Sequence, residues 1–410
     1  MESLPRRRRR PRVLVVGGNF AGIAAAKSMS RDLAVTVVDP SPWFEWLPNI
    51  HELISGLKSP QALRLSRRRL VRAAGHRFVR ATIESIDAFD GRAVSTEGKS
   101  FRFDACIVAV GGENDTLGVP GAERHALPFK SVEDCAAIGA RLDELAAARN
   151  RAAVVIVGGG LEGVEACGEV LRRSDGASVK LIEAGARLLP GTPTALDARV
   201  QRVLREHGVT VRTGARVARV KRRSVALEGG DELRSDATLW TGGARPPALL
   251  ERCALSAGGK EWAPVRPTLQ SDRFDHVFIC GYAAVCAPPL GKQAYFALQM
   301  AEHAGRAAEA MLGGGAPTPF RPAAKPSLIS LGSIETYLVA GNLAVASPLL
   351  AFAKEAVYQL TMTQLDPPWA PDGLEGLVGR AWDGASTVLT PALAAPRSWP
   401  DLLRVGVLVD

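Results

Sequence analysis

Cysteine is scarce in this chain: six in 410 residues, with no C-x-x-C pair. That excludes a disulfide scaffold and a zinc ribbon, and a reduced, cytoplasmic setting is expected. Long apolar runs are missing too. The longest uncharged stretch, 18 residues between Glu335 and Lys354, is broken by Gly341, Asn342, Ser347 and Pro348. It reads as buried strands and turns rather than a membrane span. The arginines at 6–10 lead into a charged βα pattern, not an apolar segment ending in small residues, so no cleaved signal peptide is expected. The net charge of +9 is confined to one region. Residues 1–80 carry 16 Lys/Arg against 5 Asp/Glu, which leaves 35 against 37 for the remainder. No nucleic-acid-binding module accompanies these arginines, and nucleic acid is not expected as a partner. Apolar residues at 47% and charged residues at 23% exclude a disordered or collagen-like chain.

What is present is a repeat. Arg12-Val-Leu-Val-Val precedes Gly17-Gly18-Asn19-Phe20-Ala21-Gly22, an alanine-rich helical segment and a second strand ending at Asp39. About 141 residues later the pattern returns. Ala153-Val-Val-Ile-Val precedes Gly158-Gly159-Gly160-Leu161-Glu162-Gly163, a helix and a strand ending at Glu183. This is the βαβ dinucleotide fingerprint, so the fold class is α/β with two Rossmann-like domains. The first glycine makes the tight turn, the second admits a pyrophosphate, and the third lets helix and strand pack closely. The helix N-terminus holds the diphosphate, and the strand-end acid accepts from a ribose hydroxyl. The first copy departs from the pattern. Asn19 stands at the second glycine, a substitution read either as a positive-φ replacement or as altered cofactor binding.

Amphipathic spacing predicts helices over 194–207, 295–311 and 349–364, and short strands from Val209 to Trp240. In 349–364, Leu349, Leu350, Phe352, Ala353, Ala356, Val357 and Leu360 share one side, read as ordinary core or as a membrane-surface or dimer contact. The last 45 residues show no clear period.

Order and spacing resemble the flavoproteins with two dinucleotide-binding domains, in which FAD occupies the first fold and NAD(P)H the second. Phe103-Asp104-Ala-Cys-Ile-Val-Ala109-Val110-Gly111-Gly112 resembles the first crossover of that family, and Asp236-Ala-Thr-Leu-Trp-Thr-Gly242-Gly243 the second. Within it, Asp39 to Gly56, Gly163-Val-Glu165 and Gly291-Lys292-Gln293-Ala294-Tyr295 resemble the type II NADH dehydrogenases and ferroptosis-suppressor-like quinone reductases. No cysteine lies between Ala21 and Arg31, so the disulfide reductase branch does not apply.

The resemblance implies residues 1–116 and 251–320 as two parts of an FAD-binding domain and 117–250 as an NAD(P)H-binding domain. Residues 321–410 would be a C-terminal part making membrane-surface, dimer or acceptor-site contacts. It implies FAD contacts at Gly17, Gly18, Asn19, Phe20, Ala21, Gly22, Asp39, Pro40, Leu47 and Thr82. Further FAD contacts are implied at Ala109, Val110, Gly111, Gly281, Tyr282, Gln293 and Ala294. NAD(P)H contacts are implied at Gly158, Gly160, Leu161, Glu162, Gly163, Glu183 and Gly242. Glu183 would favour NADH by repelling a 2′-phosphate, while Arg187 keeps NADPH open. Tyr282 replaces the aspartate usual after Gly281.

The reaction implied is hydride transfer from NADH to flavin, then two electrons to a quinone-like acceptor. Glu165 would relay protons or position nicotinamide, or merely cap a helix. Lys292 would stabilise reduced flavin, or be a surface lysine. Gln299 and His303 would border the acceptor. No metal is expected. Alternatives are reduction of a partner redox protein or biosynthetic substrate, and a non-catalytic nucleotide binder. The basic surplus, including Arg64, Arg67, Arg68, Arg69, Arg72, Arg77 and Arg80, reads as a solvated face or as attraction to an anionic membrane or acidic partner.

Overall fold

The computed structural model describes residues 9–148, 151–174, 176–256, 258, 261–367 and 406–409. The chain divides into two compact units. One comprises residues 1–44, 65–113 and 245–324, the other residues 45–64, 114–244 and 325–410. The stretch 45–64 and the C-terminal part thus cluster with the second nucleotide fold, whereas the sequence reading placed 45–64 in the first and kept 321–410 separate.

Each unit is built on a five-stranded parallel sheet with the fingerprint strand in the middle. In the first, the order is Val277–Ile279, Ala105–Val108, Arg12–Val16, Ala34–Asp39, Arg77–Arg80. In the second it is Ala126–Pro128, Ala237–Trp240, Ala153–Val157, Ser178–Ile182, Thr210–Arg212. Central strands buried on both faces must be apolar throughout. Val13 to Val16 and Val154 to Val157 are accordingly buried without alternation. Each unit also carries a three-stranded antiparallel meander, Ile83–Asp87 to Ser100–Arg102 in one and Val217–Lys221 to Glu232–Arg234 in the other. The duplication therefore extends beyond the glycine turns.

In the first unit, helix Phe20–Ser28 packs closely on helix Ala294–Leu312. A Cβ on Gly305 would lie 2.1 Å from Ser28 Oγ and 2.8 Å from the Ala25 carbonyl, so the contact depends on the missing side chain. The predicted helix at 194–207 is Thr194–Glu206.

The second unit ends in the antiparallel strands Ser327–Leu331, Glu335–Ala340, Leu343–Ala346 and Gly406–Val409 and helix Leu350–Leu365. The uncharged run is thus strands and turns, then the start of a helix. That helix is inverted relative to the reading of its apolar side as core. Lys354, Glu355, Tyr358 and Met362 are buried, while Phe352, Ala353, Ala356, Val357 and Leu360 are exposed. The polar stripe faces inward because charges of both signs await it there. Among the described residues, no helix is long and apolar enough to cross a membrane. The aperiodic last 45 residues fall largely on 368–405, outside the described residues.

Candidate functional site

The two glycine turns have the same construction. Gly17 and Gly158 take φ of +97° and +110°, a region that favours glycine. A Cβ on Gly22 would lie 1.9 Å from the Gly17 carbonyl oxygen, and one on Gly163 would lie 1.8 Å from that of Gly158. A Cβ on Gly17 would meet the Ala109 oxygen at 2.3 Å, and one on Gly158 would meet Thr241 Oγ1 at 2.7 Å and Gly242 N at 2.9 Å. Each crossover therefore abuts its turn. The strand-end acids brace the turns too: Gly18 N donates to Asp39 Oδ2 at 2.7 Å, and Gly159 N donates to Glu183 Oε2 at 2.6 Å.

Asn19 sits at φ −93°, ψ −147° at the N-cap of its helix. A positive φ is therefore not what admits it. The equivalent Gly160 shows why a side chain is tolerated: a Cβ there meets nothing within 4 Å. This open cradle, at a helix N-terminus with braced glycines, fits a dinucleotide diphosphate in both units.

Around the first turn, Phe20 and Ala21 are buried in the first helical turn. Pro40 accepts from Arg80 Nε at 2.9 Å, and Thr82 follows the edge strand beside Asp39. Val110 and Gly111, the latter at φ +69°, continue from Ala109. One residue at this turn was missed by sequence reasoning. Arg67, counted there within a basic face, is buried. Its Nε donates to the Gly18 carbonyl at 2.7 Å, and its Nη1 binds the Ser41 carbonyl at 2.7 Å and the Asp39 carboxylate. The fold thus pairs the strand-end acid Asp39 with a buried cation. Arg64 is no solvated group either, pairing with Glu45 at 2.8 Å and with Glu133. Arg68, Arg72, Arg77 and Arg80 are the exposed remainder.

Gly281 has φ +71°, and a Cβ on it would touch Ala21 and Ala297. This brings the second motif onto the first nucleotide helix and beside the start of helix 294–312, where Gln293 is the N-cap and Ala294 the first residue. The Tyr282 ring lies 5.2 Å from Trp262. Lys292 Nζ stands 4.3 Å over the Trp262 ring and donates to the Tyr282 and Ala284 carbonyls. Burial lowers its pKa to about 8. Gln299 clasps the backbone of Ala323, donating at 2.9 Å and accepting at 2.8 Å. His303 Nε2 lies 2.8 Å from the Thr318 carbonyl. Both polar groups are thereby committed to the segment after their helix.

In the second unit, Leu161 and Glu162 open the nucleotide helix. Glu162 pairs with Lys130 at 2.7 Å, and burial raises its pKa. Arg187 donates to the Thr192 carbonyl. Leu47 opens the 3₁₀ turn Leu47–Asn49.

Glu165 is neither solvated nor a cap. Its Oε1 accepts from Lys354 Nζ at 2.6 Å and from Ser330 N at 3.1 Å, and its Oε2 lies 3.4 Å from His51 Nδ1. Lys354 Nζ is also 2.9 Å from His51 Nε2. Next to this triangle, Lys58 Nζ pairs with Glu355 at 2.9 Å and Glu52 at 3.6 Å, and stands 4.1 Å over the Tyr358 ring. Glu169 accepts from Ser55 Oγ and lies 3.8 Å from Arg172. Burial raises the pKa of Glu165 and Glu169 despite these cations, and lowers that of His51. The sequence held one signal for this cluster: Lys354 and Glu355 are the only charges between positions 336 and 365. All six cysteines are free. Cys280 is buried and its pKa is pushed up to about 12 by burial, which suits an inert thiol. Among the described residues, no group of His, Cys, Asp or Glu is placed to hold a metal.

Residues 11–308 match the pyridine nucleotide-disulphide oxidoreductase family. The type II NADH:quinone oxidoreductase of Staphylococcus haemolyticus is 20% identical over 85% of this chain and 94% of its own length. The demethylphylloquinone reductase NdbB of Synechocystis sp. is 25% identical over 85% and 91%. The structure of NDH2 from Plasmodium falciparum in complex with NADH superposes with a TM-score of 0.80 at 15% identity, covering 93% of this chain and 98% of that one. Two braced nucleotide turns on duplicated sheets and a match over most of the chain agree: this protein is an oxidoreductase of the pyridine nucleotide-disulphide oxidoreductase family.

Proposed function

We propose that this enzyme oxidises NADH and passes the electrons through FAD to a quinone at an anionic membrane surface. The observation that carries the redox part is the pair of complete nucleotide turns in one chain, each braced by its strand-end acid. FAD, when bound, supplies the two-electron chemistry that links a hydride donor to a quinone. The protein binds and orients. Gly17 to Gly22, Asp39 and Arg67 would hold the adenosine diphosphate end of FAD, and Gly281, Tyr282 and the helix start at Gln293–Ala294 its other end. Gly158 to Gly163 and Glu183 would hold NADH. The Glu183 carboxylate would repel a 2′-phosphate, and Arg187 is occupied with Thr192.

A quinone that receives a hydride equivalent needs one further proton. Glu165 is the group we assign to move it, because a carboxyl whose pKa burial has raised holds a proton nearer neutral pH than a solvated one. Lys354 at 2.6 Å limits that rise and stabilises the carboxylate left behind. Gln299 and His303 fit better as ties for the segment 318–323 than as acceptor contacts, since their polar atoms are already bonded.

The membrane part rests on the inverted helix. Leu349, Phe352, Val357 and Leu360 are 41%, 44%, 52% and 63% exposed on one element. Contiguous exposed apolar surface of this kind marks an interaction face.

The test is anaerobic. Purified protein should carry the flavin spectrum, bleach on NADH and recover with a short-chain quinone. Bleaching without recovery would instead favour a redox partner, and absence of flavin would refute the enzyme reading. Leu360→Asp with Val357→Asp should abolish sedimentation with anionic liposomes while leaving bleaching by NADH unchanged.

A further inference from the structure

His51 is fully enclosed in the second unit, and its two ring nitrogens face different members of the Lys354–Glu165 pair. An ammonium has donors only. With Lys354 Nζ at 2.9 Å, His51 Nε2 must be the acceptor, so the ring proton resides on Nδ1. That nitrogen lies 3.4 Å from Glu165 Oε2, while Lys354 occupies Oε1. The three side chains therefore close a triangle in which each carboxylate oxygen faces a different donor.

We propose that His51, as the neutral Nδ1–H tautomer, is a positioning residue that aims the Lys354 ammonium and orients the Glu165 carboxylate, and so sets the pH at which Glu165 exchanges its proton. This rests on the reading that Glu165 moves the proton during acceptor reduction. The surroundings support the neutral form. Lys354, Arg172 and Lys58 all oppose a charged imidazole, as does burial. Glu52 Oε1 is 3.8 Å from Nε2 and is itself bound by Asn49 Nδ2 at 2.7 Å, so it offers Nε2 no close alternative acceptor. The groups facing Glu165 are Lys354, His51, the Ser330 amide and, as repelling carboxylates, Glu52 and Glu162. Removing the imidazole takes a donor from Glu165 and an acceptor from Lys354. Both changes disfavour the ionised pair, so the Glu165 proton affinity rises.

Two measurements test this. In protein with ¹⁵N-labelled histidine, the His51 ring, identified by its loss in His51→Gln, should show a neutral Nδ1–H tautomer between pH 6 and pH 9. Lys354→Met should abolish that tautomer preference. A protonated ring or an Nε2–H tautomer at pH 7 would overturn the proposal. In the loaded enzyme, the pH profile of flavin reoxidation by quinone should shift upward by about one unit in His51→Leu and return in His51→Gln, whose amide can accept and donate. The pH profile of flavin reduction by NADH should stay in place. A lower thermal stability in His51→Leu with an unmoved reoxidation profile would leave His51 merely structural and overturn the proposal. Glu165→Gln separates the two levels. If it leaves the reoxidation profile intact, the assignment of Glu165 fails. If it abolishes the profile and His51→Leu does not shift it, only the role of His51 fails.

Discussion

Replacing Lys354 by methionine perturbs the buried cluster at its centre. The side chain keeps its length and apolar stem, but the positive charge 2.6 Å from Glu165 Oε1 is lost. At that distance two unit charges attract by about 6 kcal/mol for an effective dielectric constant near 20. Desolvation of both groups offsets much of this, since the Lys354 and Glu165 side chains are only 10% and 12% exposed. The measurable cost is instead that of leaving one charge buried without its partner, about 3–5 kcal/mol. For a unit of this size that lowers the melting temperature by about 10 °C. Glu165→Gln removes the stranded charge while keeping an acceptor for Ser330 N. The double variant Lys354→Met with Glu165→Gln should therefore recover at least half of the loss. Thermal unfolding followed by circular dichroism at pH 7.5 reads all four corners of the cycle. A loss under about 1 kcal/mol in Lys354→Met, or a double variant no better than the single, would refute the view that the inward polar stripe of helix 350–365 is held by this pair.

Further outcomes follow from the same geometry. Gly163→Ala should abolish NADH binding, because its methyl group would lie 1.8 Å from the Gly158 oxygen. Gly160→Ala should keep the fold, and calorimetric titration with NADH distinguishes the two. Arg67→Met should weaken FAD retention by roughly tenfold or more, through loss of a charge-assisted bond to the turn carbonyl, read as flavin release on gel filtration. Burial holds the pKa of Glu169 above its unfolded value. The folded state therefore binds its proton more tightly, and the resulting stability is complete below about pH 4.5 and lost as pH rises through the raised value. Melting temperatures across pH 5–8.5 should fall less steeply in Glu169→Gln than in the parent. Glu183→Ser with Ala184→Arg should reduce kcat/KM for NADH and raise it for NADPH, measured under the same anaerobic conditions.

The two nucleotide folds were legible because their determinants are local. A positive φ at Gly17 and Gly158, the close approach of Gly22 and Gly163 to a carbonyl, and an acid at the end of the next strand all fall within about 30 residues. Unbroken β-branched runs could only be central parallel strands. The conformation of Asn19 was misread because helix N-caps and positive-φ turns favour the same small polar residues. Arg67 was counted as surface charge because composition records a charge and not its partner.

Helix periodicity shows that residues 350–365 have an apolar side, yet it carries no information on which side faces inward. That choice was made by Glu52, Lys58 and Glu165, whose buried charges require Lys354 and Glu355 as partners, and by the neutral His51 ring beside Lys354, residues that lie 189 to 303 positions from their partners in the chain. Sequence alone therefore determined the duplicated nucleotide-binding frame, whose steric rules are satisfied within each βαβ unit. Only the tertiary structure decided where the charges of the C-terminal helix are buried and which apolar surface is left outside, because pairing of buried charges is settled between elements distant along the chain.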